Sequence, residues 1–505
     1  MNLQKWDDVN WELVQKRVFR YQRRIYEASK RGDKNVVKAL QIRLISSIDS
    51  KLLAIEQATN NLNDVSVNLN SEKKLKILQR LKFTKTKQAP ISKINSDINY
   101  IKKQKIENEA KNNLCLLALE PEWEGLFLPN CYGYRPEKTK HDAIAAVNSY
   151  LKHNESEKEL YSLTFKLNVN DIFYSIDPEI LLNKMNTTLK VQEHLRSLLQ
   201  LSFKKKEITK IGIRHKSSLL GKAKDKLISF LLTLIVNDLL EFLLKITTFY
   251  NPQVNSNEPL NLHYIPISYG SNIVIIGNNL KQLEKFKTQI LHWITTQLKI
   301  EFKEDNLKIK SLFEGFEFLG HSFILIKQKS HRKFKYFPSR KSQQTFLLDI
   351  REIIQKNKAS SSYQLINNLK PKILAWGKYY RYSDCRIIFR KMSHYILQKL
   401  RAWAFRINKK SGRKVVKEKY FPSNKKYYFE GVCYHDNWIL NGKKKQADGK
   451  TKENCLINLA WIKQRNWVQV DNLRSIYDED QTYWRVRNLL VKQKNKNFKP
   501  IIIST

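Results

Sequence analysis

Apolar and polar residues alternate in two short stretches near the middle of the chain. In Leu163–Asn170 every second residue is apolar, which is the period of a half-buried strand. In Tyr264–Ile276 two β-branched runs flank Ser-Tyr-Gly-Ser-Asn, a pattern that predicts a hairpin whose Gly270 tolerates an unusual backbone conformation. The two stretches therefore predict at least three strands.

Apolar residues recur at helical spacing in four other stretches. These predicted helices are Asp7–Lys30, Lys34–Gln57, Ser339–Lys356 and Arg386–Ile407. The first carries basic residues beside its apolar face, namely Arg17, Arg20, Arg24 and Arg31. They suit either a solvated helical hairpin or contact with an RNA backbone.

The helix predicted at Arg386–Ile407 has two distinct faces. Its apolar face is expected to enter a core and comprises Ile388, Met392, Tyr395, Leu400 and Trp403. Its polar face comprises Lys391, His394, Gln398 and Arg401. Trp376, like Trp403, is expected to pack in the core, whereas Lys378, Arg381 and Arg401 are candidates for RNA contact.

The charge balance changes the picture, because 92 Lys and Arg residues stand against 47 acidic residues, a net charge of +45. Residues 361–420 alone hold 16 basic residues against Asp384 and Glu418. An AT-rich genome inflates lysine, asparagine and isoleucine, but it does not remove acidic residues. The excess therefore favours a nucleic-acid partner.

Other classes of protein find little support in the sequence. The five cysteines form no Cys-x-x-Cys pair, and the spacing of Cys433, His435 and Cys455 fits no common zinc site, so we expect no metal and no cofactor. Leu227–Val236 is too short to span a bilayer and is expected to be a buried helix. No targeting segment is evident at the N-terminus.

Several longer strings resemble the reverse transcriptase and maturase proteins encoded by group II introns. The most specific is Leu-Ala-Leu-Glu-Pro-Glu-Trp-Glu-Gly-Leu-Phe-Leu-Pro-Asn-Cys-Tyr-Gly-Tyr-Arg-Pro at 117–136, followed by His-Asp-Ala-Ile at 141–144. Gly-Phe-Glu-Phe-Leu-Gly at 315–320 and Leu-Lys-Pro-Lys-Ile-Leu-Ala-Trp-Gly-Lys-Tyr-Tyr-Arg at 369–381 are also similar to that family. The N-terminal helix is a fourth match.

The resemblance implies an α+β fold. We expect a right-hand, reverse-transcriptase-like fingers and palm with a helical N-terminal extension, a helical thumb and a helical maturase domain X. The implied boundaries are 1–60 for the extension, 61–338 for fingers and palm, 339–425 for thumb and domain X, and 426–505 for a basic C-terminal region without an endonuclease.

The resemblance also places three catalytic aspartates at positions that here hold Asn168, Ser271 and Asn272. Neutral amide and hydroxyl oxygens do not compensate the charge of two Mg²⁺ ions, so polymerase chemistry is not expected. In addition, the glycine-rich segment that approaches the nucleotide in the family is Ala-Lys-Asp-Lys at 223–226 here.

The function implied is that of a degenerate, plastid-type maturase that assists splicing of a group II or related group III intron. Intron RNA is the expected partner, a homodimer is left open, no membrane partner is expected, and a mitochondrial location is the less favoured alternative. The expected RNA contacts are Arg17, Arg20, Arg24, Arg135, Lys378, Arg381, Lys391 and Arg401. An active reverse transcriptase for intron mobility, a DNA-binding or nicking protein, and a decayed reading frame are the alternatives.

Overall fold

The computed structural model describes residues 5–61, 70–83, 98–155, 159–210, 226–249, 264–327, 332–446, 449, 451–495 and 501–503. The chain forms two compact units. The first comprises residues 1–143, 161–309 and 470–481, and the second comprises residues 144–160, 310–469 and 482–505. The mixture of helices and sheets confirms the α+β class.

The first unit begins with five helices: α1 (Trp11–Lys30), α2 (Lys34–Ser46), α3 (Ile48–Asn61), α4 (Ser71–Arg80) and α5 (Ile98–Glu124). The single predicted helix Lys34–Gln57 is wrong, because it breaks at Ser47. The Ser50 backbone N–H donates to Ser47 Oγ at 3.1 Å, which caps a new helix there. After the break Ile48, which the pattern of a single helix would direct inward, is 48% exposed.

Helix α6 (Lys140–His153) leads from the first unit into the second, and β1 (Tyr161–Lys166) begins the central sheet of the first. The predicted strand continues to Asn170, but the observed strand ends at Lys166. The Asn170 N–H donates to Asn168 Oδ1 at 3.1 Å, which starts α7 (Val169–Ser175). A side-chain cap thus overrides the alternating pattern.

Four more helices surround this sheet: α8 (Pro178–Leu182), α9 (Leu189–Lys210), α10 (Lys226–Phe249) and α11 (Leu280–Gln297). Residues Lys226–Thr247 are apolar and long enough to cross a membrane by composition alone. However, 72% of that segment is buried in the unit, and buried core helices pass the same test. The run of apolar residues in α10 is therefore explained by packing in the core of this unit, where Phe230, Leu231 and Leu239 are buried.

The sheet is completed by β2 (Tyr264–Tyr269), β3 (Asn272–Gly277) and β4 (Lys308–Ser311), in the order β2-β3-β1-β4. Strands β2 and β3 form the predicted hairpin with Tyr269 opposite Asn272. Gly270 in the turn has φ of +54°, which confirms the expectation for that residue.

The second unit contains a three-stranded sheet of β5 (Phe316–Phe318), β6 (His321–Lys327) and β7 (Arg332–Pro338). Four helices follow: α12 (Arg340–Lys356), α13 (Ser362–Tyr380), α14 (Arg386–Ile407) and α15 (Arg413–Tyr420). Helix α14 has the bounds that the sequence predicts. Trp376 stacks on Phe346 with ring centroids 4.5 Å apart, and Trp403 is 4% exposed, so both tryptophans pack in the core as predicted.

The remaining elements are β8 (Lys426–Phe429), β9 (Val432–His435), β10 (Asn441–Lys445), β11 (Thr451–Cys455), α16 (Thr482–Asn495) and β12 (Ile501–Ile503). Buried residues of 427–462 share one core with α12–α15, including Tyr427, Leu440 and Trp461. The boundaries of the two compact units therefore do not coincide with those that the family resemblance implies at 60, 338 and 425.

Candidate functional site

The structure brings Asn168, Ser271 and Asn272 together at one end of the central sheet. The Leu167 N–H donates to the Ser271 carbonyl at 2.9 Å, and Lys166 pairs with Asn272 in the antiparallel register. The three positions at which the family resemblance leads us to expect aspartates are thus neighbours in this fold.

The side chains of both asparagines in this cluster already make local hydrogen bonds. Asn168 Oδ1 caps α7, Asn272 Nδ2 donates to the Tyr269 carbonyl at 3.4 Å, and Ser271 is only 6% exposed. No group of three or more His, Cys, Asp or Glu residues that could hold a metal ion occurs in the described part of the chain. A neutral amide oxygen that already accepts from a backbone N–H, as Asn168 Oδ1 does, is a weak ligand for Mg²⁺.

The Tyr-Gly-Tyr segment at 132–134 lies directly against the hairpin turn. The Tyr132 N–H donates to the Ser268 carbonyl at 3.0 Å, and a Cβ on Gly133 would come within 2.1 Å of the Gly270 nitrogen. The Tyr134 ring lies 5.9 Å from the Tyr269 ring. This segment therefore packs the turn.

Arg135 does not face solvent, which contradicts the expectation that it contacts RNA. Its guanidinium donates to both carboxylate oxygens of Glu124 at 2.8 Å and to the carbonyls of Leu128 and Cys131 at 2.9 Å. Both side chains are at least 96% buried, with 4% and 1% exposed. Burial lowers the pKa of Arg135, but the neighbouring Glu124 carboxylate outweighs this effect, so the pKa is raised. The residue fixes the loop before α6.

Arg381 is also buried, so its predicted RNA contact is wrong for the same reason. Its Nη1 and Nη2 donate to the Glu430 carboxylate at 2.9 and 3.0 Å, and Nη2 also donates to the Lys463 carbonyl. An unpaired charge in this position would be costly, so this pair ties α13 to the strand region that follows α15.

The arginines of α1 differ in their surroundings. Arg17 lies 3.6 Å from Asp49, whereas Arg20 and Arg24 are exposed. Arg31 pairs with Asp33 at 3.2 Å. Arg20 and Arg24 are therefore the members of the predicted stripe best placed to meet an anion.

The polar face of α14 is exposed as the sequence predicts, with Lys391, His394, Gln398 and Arg401 all on the surface, and Lys378 of α13 is exposed too. Tyr395 is 37% exposed, so its assignment to the apolar face is wrong. The Arg401 guanidinium lies 4.7 Å above the Trp438 ring, and Lys391 Nζ lies 5.9 Å from the Tyr395 ring.

The sequence pattern missed a second basic cluster. Arg351, Lys358, Lys399 and Arg406 line one groove between α12 and α14, together with Ile354, Gln355, Ala402 and Trp403. The available signal was the composition of α14, which contains six Lys and Arg residues and no acidic residue. The sequence of α14 alone does not predict that α12 lies across the groove from it.

Comparisons with known proteins match two domain families and two relatives. Residues 6–86 match the N-terminal domain of reverse transcriptase, and residues 343–421 match the group II intron maturase-specific domain. The latter match spans α12–α15. The chain is 23% identical over 394 residues to "Maturase-like protein 1" of Euglena longa, covering 75% of this chain and 78% of that protein. The protein of the same name from Euglena gracilis is 22% identical over 390 residues, covering 74% and 77%.

The N-terminal helices, the sheet that contains the β2–β3 hairpin and the basic helices α12–α15 are consistent with a protein of the reverse transcriptase and maturase class. The two domain matches and the two relatives support a member of the group II intron maturase and reverse transcriptase family.

Proposed function

We propose that the protein binds a group II intron RNA, or a related group III intron, and holds it in the fold that splices. The RNA would supply the splicing chemistry, and the protein would supply cations that offset phosphate repulsion. The observation that carries this proposal is the match of α12–α15 to the maturase-specific domain, in the most basic part of the chain.

We further propose that the protein performs no polymerase chemistry. Asn168, Ser271 and Asn272 supply no negative charge where two-metal phosphoryl transfer needs it. The Tyr132–Tyr134 segment packed on the turn is compatible with a sheet kept as a scaffold. A right-hand arrangement of fingers, palm and thumb, and the residues Arg20, Arg24, Lys378, Lys391 and Arg401 as RNA contacts, belong to the same proposal.

The names of the Euglena relatives support a maturase role here. A sequence rich in Lys, Asn and Ile favours an AT-rich organelle genome, and we propose the plastid as its location. Cross-linking of the protein to RNA in its own organelle, followed by sequencing, tests these statements together. Enrichment of intron-containing transcripts supports the proposal. Recovery of DNA, or of RNA without introns, would contradict it.

Purified protein supplies the biochemical test. We expect it to bind a folded intron with an affinity that falls as salt concentration rises. The log–log plot of affinity against salt should have a slope of several units, because each neutralised phosphate releases counterions. Splicing of that intron at low magnesium should accelerate when protein is added. A flat salt response and an unchanged splicing rate would overturn the proposed function.

A further inference from the structure

The groove between α12 and α14 has a floor and two charged walls. Its apolar lining residues, here called the floor, are Ile354, Ala402 and Trp403, and the groove has a volume of about 210 Å³. Arg351 and Lys358 come from α12 and the residues just after it, while Lys399 and Arg406 come from α14. Four cations therefore surround one depression within the second unit.

The acidic residues of these two helices do not neutralise the groove. The only acids of α12 are Asp349 and Glu352, which pair with Lys372 at 2.6 Å and Lys356 at 2.6 Å. Helix α14 has none. Within the described residues, none of the four groove cations makes an ion pair or a side-chain hydrogen bond. The charge is thus available to a ligand.

The spacing within each wall suits an extended anion. Lys399 and Arg406 are seven residues apart on one helix, which is two turns or roughly 10 Å. They point roughly 110° around α14 from the Lys391 and Arg401 face, at about 100° per residue. The groove is therefore a separate surface from the one that the sequence predicted.

The floor indicates which part of a nucleic acid the groove can take. Trp403 is 4% exposed, and its Nε1 donates to the Asn357 carbonyl at 3.1 Å, so its ring is not free to stack on a base. Lysine and arginine ends remain as the groups that reach a ligand. Such groups position a phosphate backbone and do not read base sequence.

We propose that this groove binds the phosphodiester backbone of folded intron RNA, with cations of both helices contacting successive phosphates. The inference rests on the proposed function and names one site for it. Contact is independent of base sequence, and the groove binds RNA in addition to the exposed face of α14.

The test compares two variants that remove equal charge from the second unit of the full-length protein. The groove variant is R351Q, K358Q, K399Q and R406Q. The control variant is K444Q, K445Q, K452Q and R485Q, all of them exposed residues of β10, β11 and α16. Two half-variants, R351Q with K358Q and K399Q with R406Q, separate the two walls. Thermal melting of each confirms that it folds.

Two RNAs are measured from low to high salt. One is a folded intron, and the other, the scrambled RNA, is the same intron with the base sequence of its RNA helices changed. We expect the groove variant to lose about three units of log–log salt slope and at least roughly tenfold in affinity at low salt, equally for both RNAs. Each half-variant should lose about half of that slope. The control should bind within about twofold of the parent, because its charges lie outside the contact.

Equal losses in the groove and control variants would show a general charge effect and overturn the proposal. Parental binding by the groove variant would overturn it as well, while leaving the proposed function intact if the parent still binds intron RNA. A parent that fails to bind intron RNA would instead overturn the proposed function. If the scrambled RNA alone loses no affinity, the groove reads sequence and the backbone assignment fails.

Discussion

Arg381 donates from both terminal nitrogens of its guanidinium to the two carboxylate oxygens of Glu430, and the side chains are 0% and 1% exposed. We predict that Arg381→Ala lowers the free energy of unfolding by about 3–5 kcal/mol, because it leaves a buried carboxylate without its principal partner. Urea-induced unfolding measures the loss.

Two further variants control this prediction. Lys378→Ala removes an exposed cation one turn earlier on α13 and should change stability by at most about 0.5 kcal/mol. The double variant R381M/E430Q should recover much of the loss, since it removes both charges. Equal destabilisation by Lys378→Ala and Arg381→Ala would show that burial of the pair is not the cause.

The two faces of α14 predict opposite phenotypes. Trp403→Ala should cost about 3–5 kcal/mol of stability, as expected for a buried large aromatic side chain. Lys391→Ala should leave the melting temperature nearly unchanged and lower the salt slope of intron binding by about one unit. Melting and binding curves on both variants decide the matter, and an unchanged slope would mean that Lys391 is solvated in the complex.

Arg401 needs a separate expectation, because its guanidinium lies over Trp438. Arg401→Ala should lose up to about 1 kcal/mol of stability as well as RNA affinity. Arg401→Lys keeps the charge and weakens the stacking, so it separates the two effects. A lysine variant that binds RNA as poorly as the alanine variant would contradict a simple charge contact.

The close approach of Gly133 to Gly270 predicts a severe effect of one methyl group. A Cβ at residue 133 would lie 2.1 Å from a backbone nitrogen, so Gly133→Ala must displace the hairpin turn. We expect it to destabilise the first unit by about 1–3 kcal/mol or more. Gly125→Ala is the matched control, since its Cβ would meet its nearest atoms at 3.4 Å. Comparable melting temperatures for the two variants would contradict the packing described.

Polymerase activity provides the last prediction. We expect no extension of a primed RNA template with Mg²⁺ or Mn²⁺, and none after N168D, S271D and N272D are combined. Ser271 is 6% exposed, so an aspartate there would place a charge in a largely buried position, which is unfavourable. The substituted site would also lack the other catalytic groups of the family. Extension above a heat-inactivated control, by the parent protein, would refute the proposal that the chemistry is lost.

The sequence predicted best where local pattern decides structure. Helix α14 and the hairpin around Gly270 have strong periodicity or turn chemistry, and both form as expected. The strand before Asn168 ended early because a side-chain cap competed with the alternation. The pattern alone did not reveal that competition.

Long-range pairing limited the prediction of site residues. In a basic sequence Arg135 and Arg381 look like surface cations. In the structure they pair with the buried Glu124 and Glu430, which lie 11 and 49 positions away in the chain. The α12 and α14 groove was missed for a related reason. Its four cations come from two helices, and only the packing of those helices brings them together.

Residues 470–481 return to the first unit, where Tyr26 donates to Asp478 at 2.7 Å across 452 positions and Phe19 stacks on Tyr477. A ribosome adds roughly 5–20 residues per second, so these partners emerge about 20–90 s apart. The N-terminal helices therefore lack these contacts until residues 470–481 have been synthesised. A chaperone that shields α1 during synthesis would act in that interval.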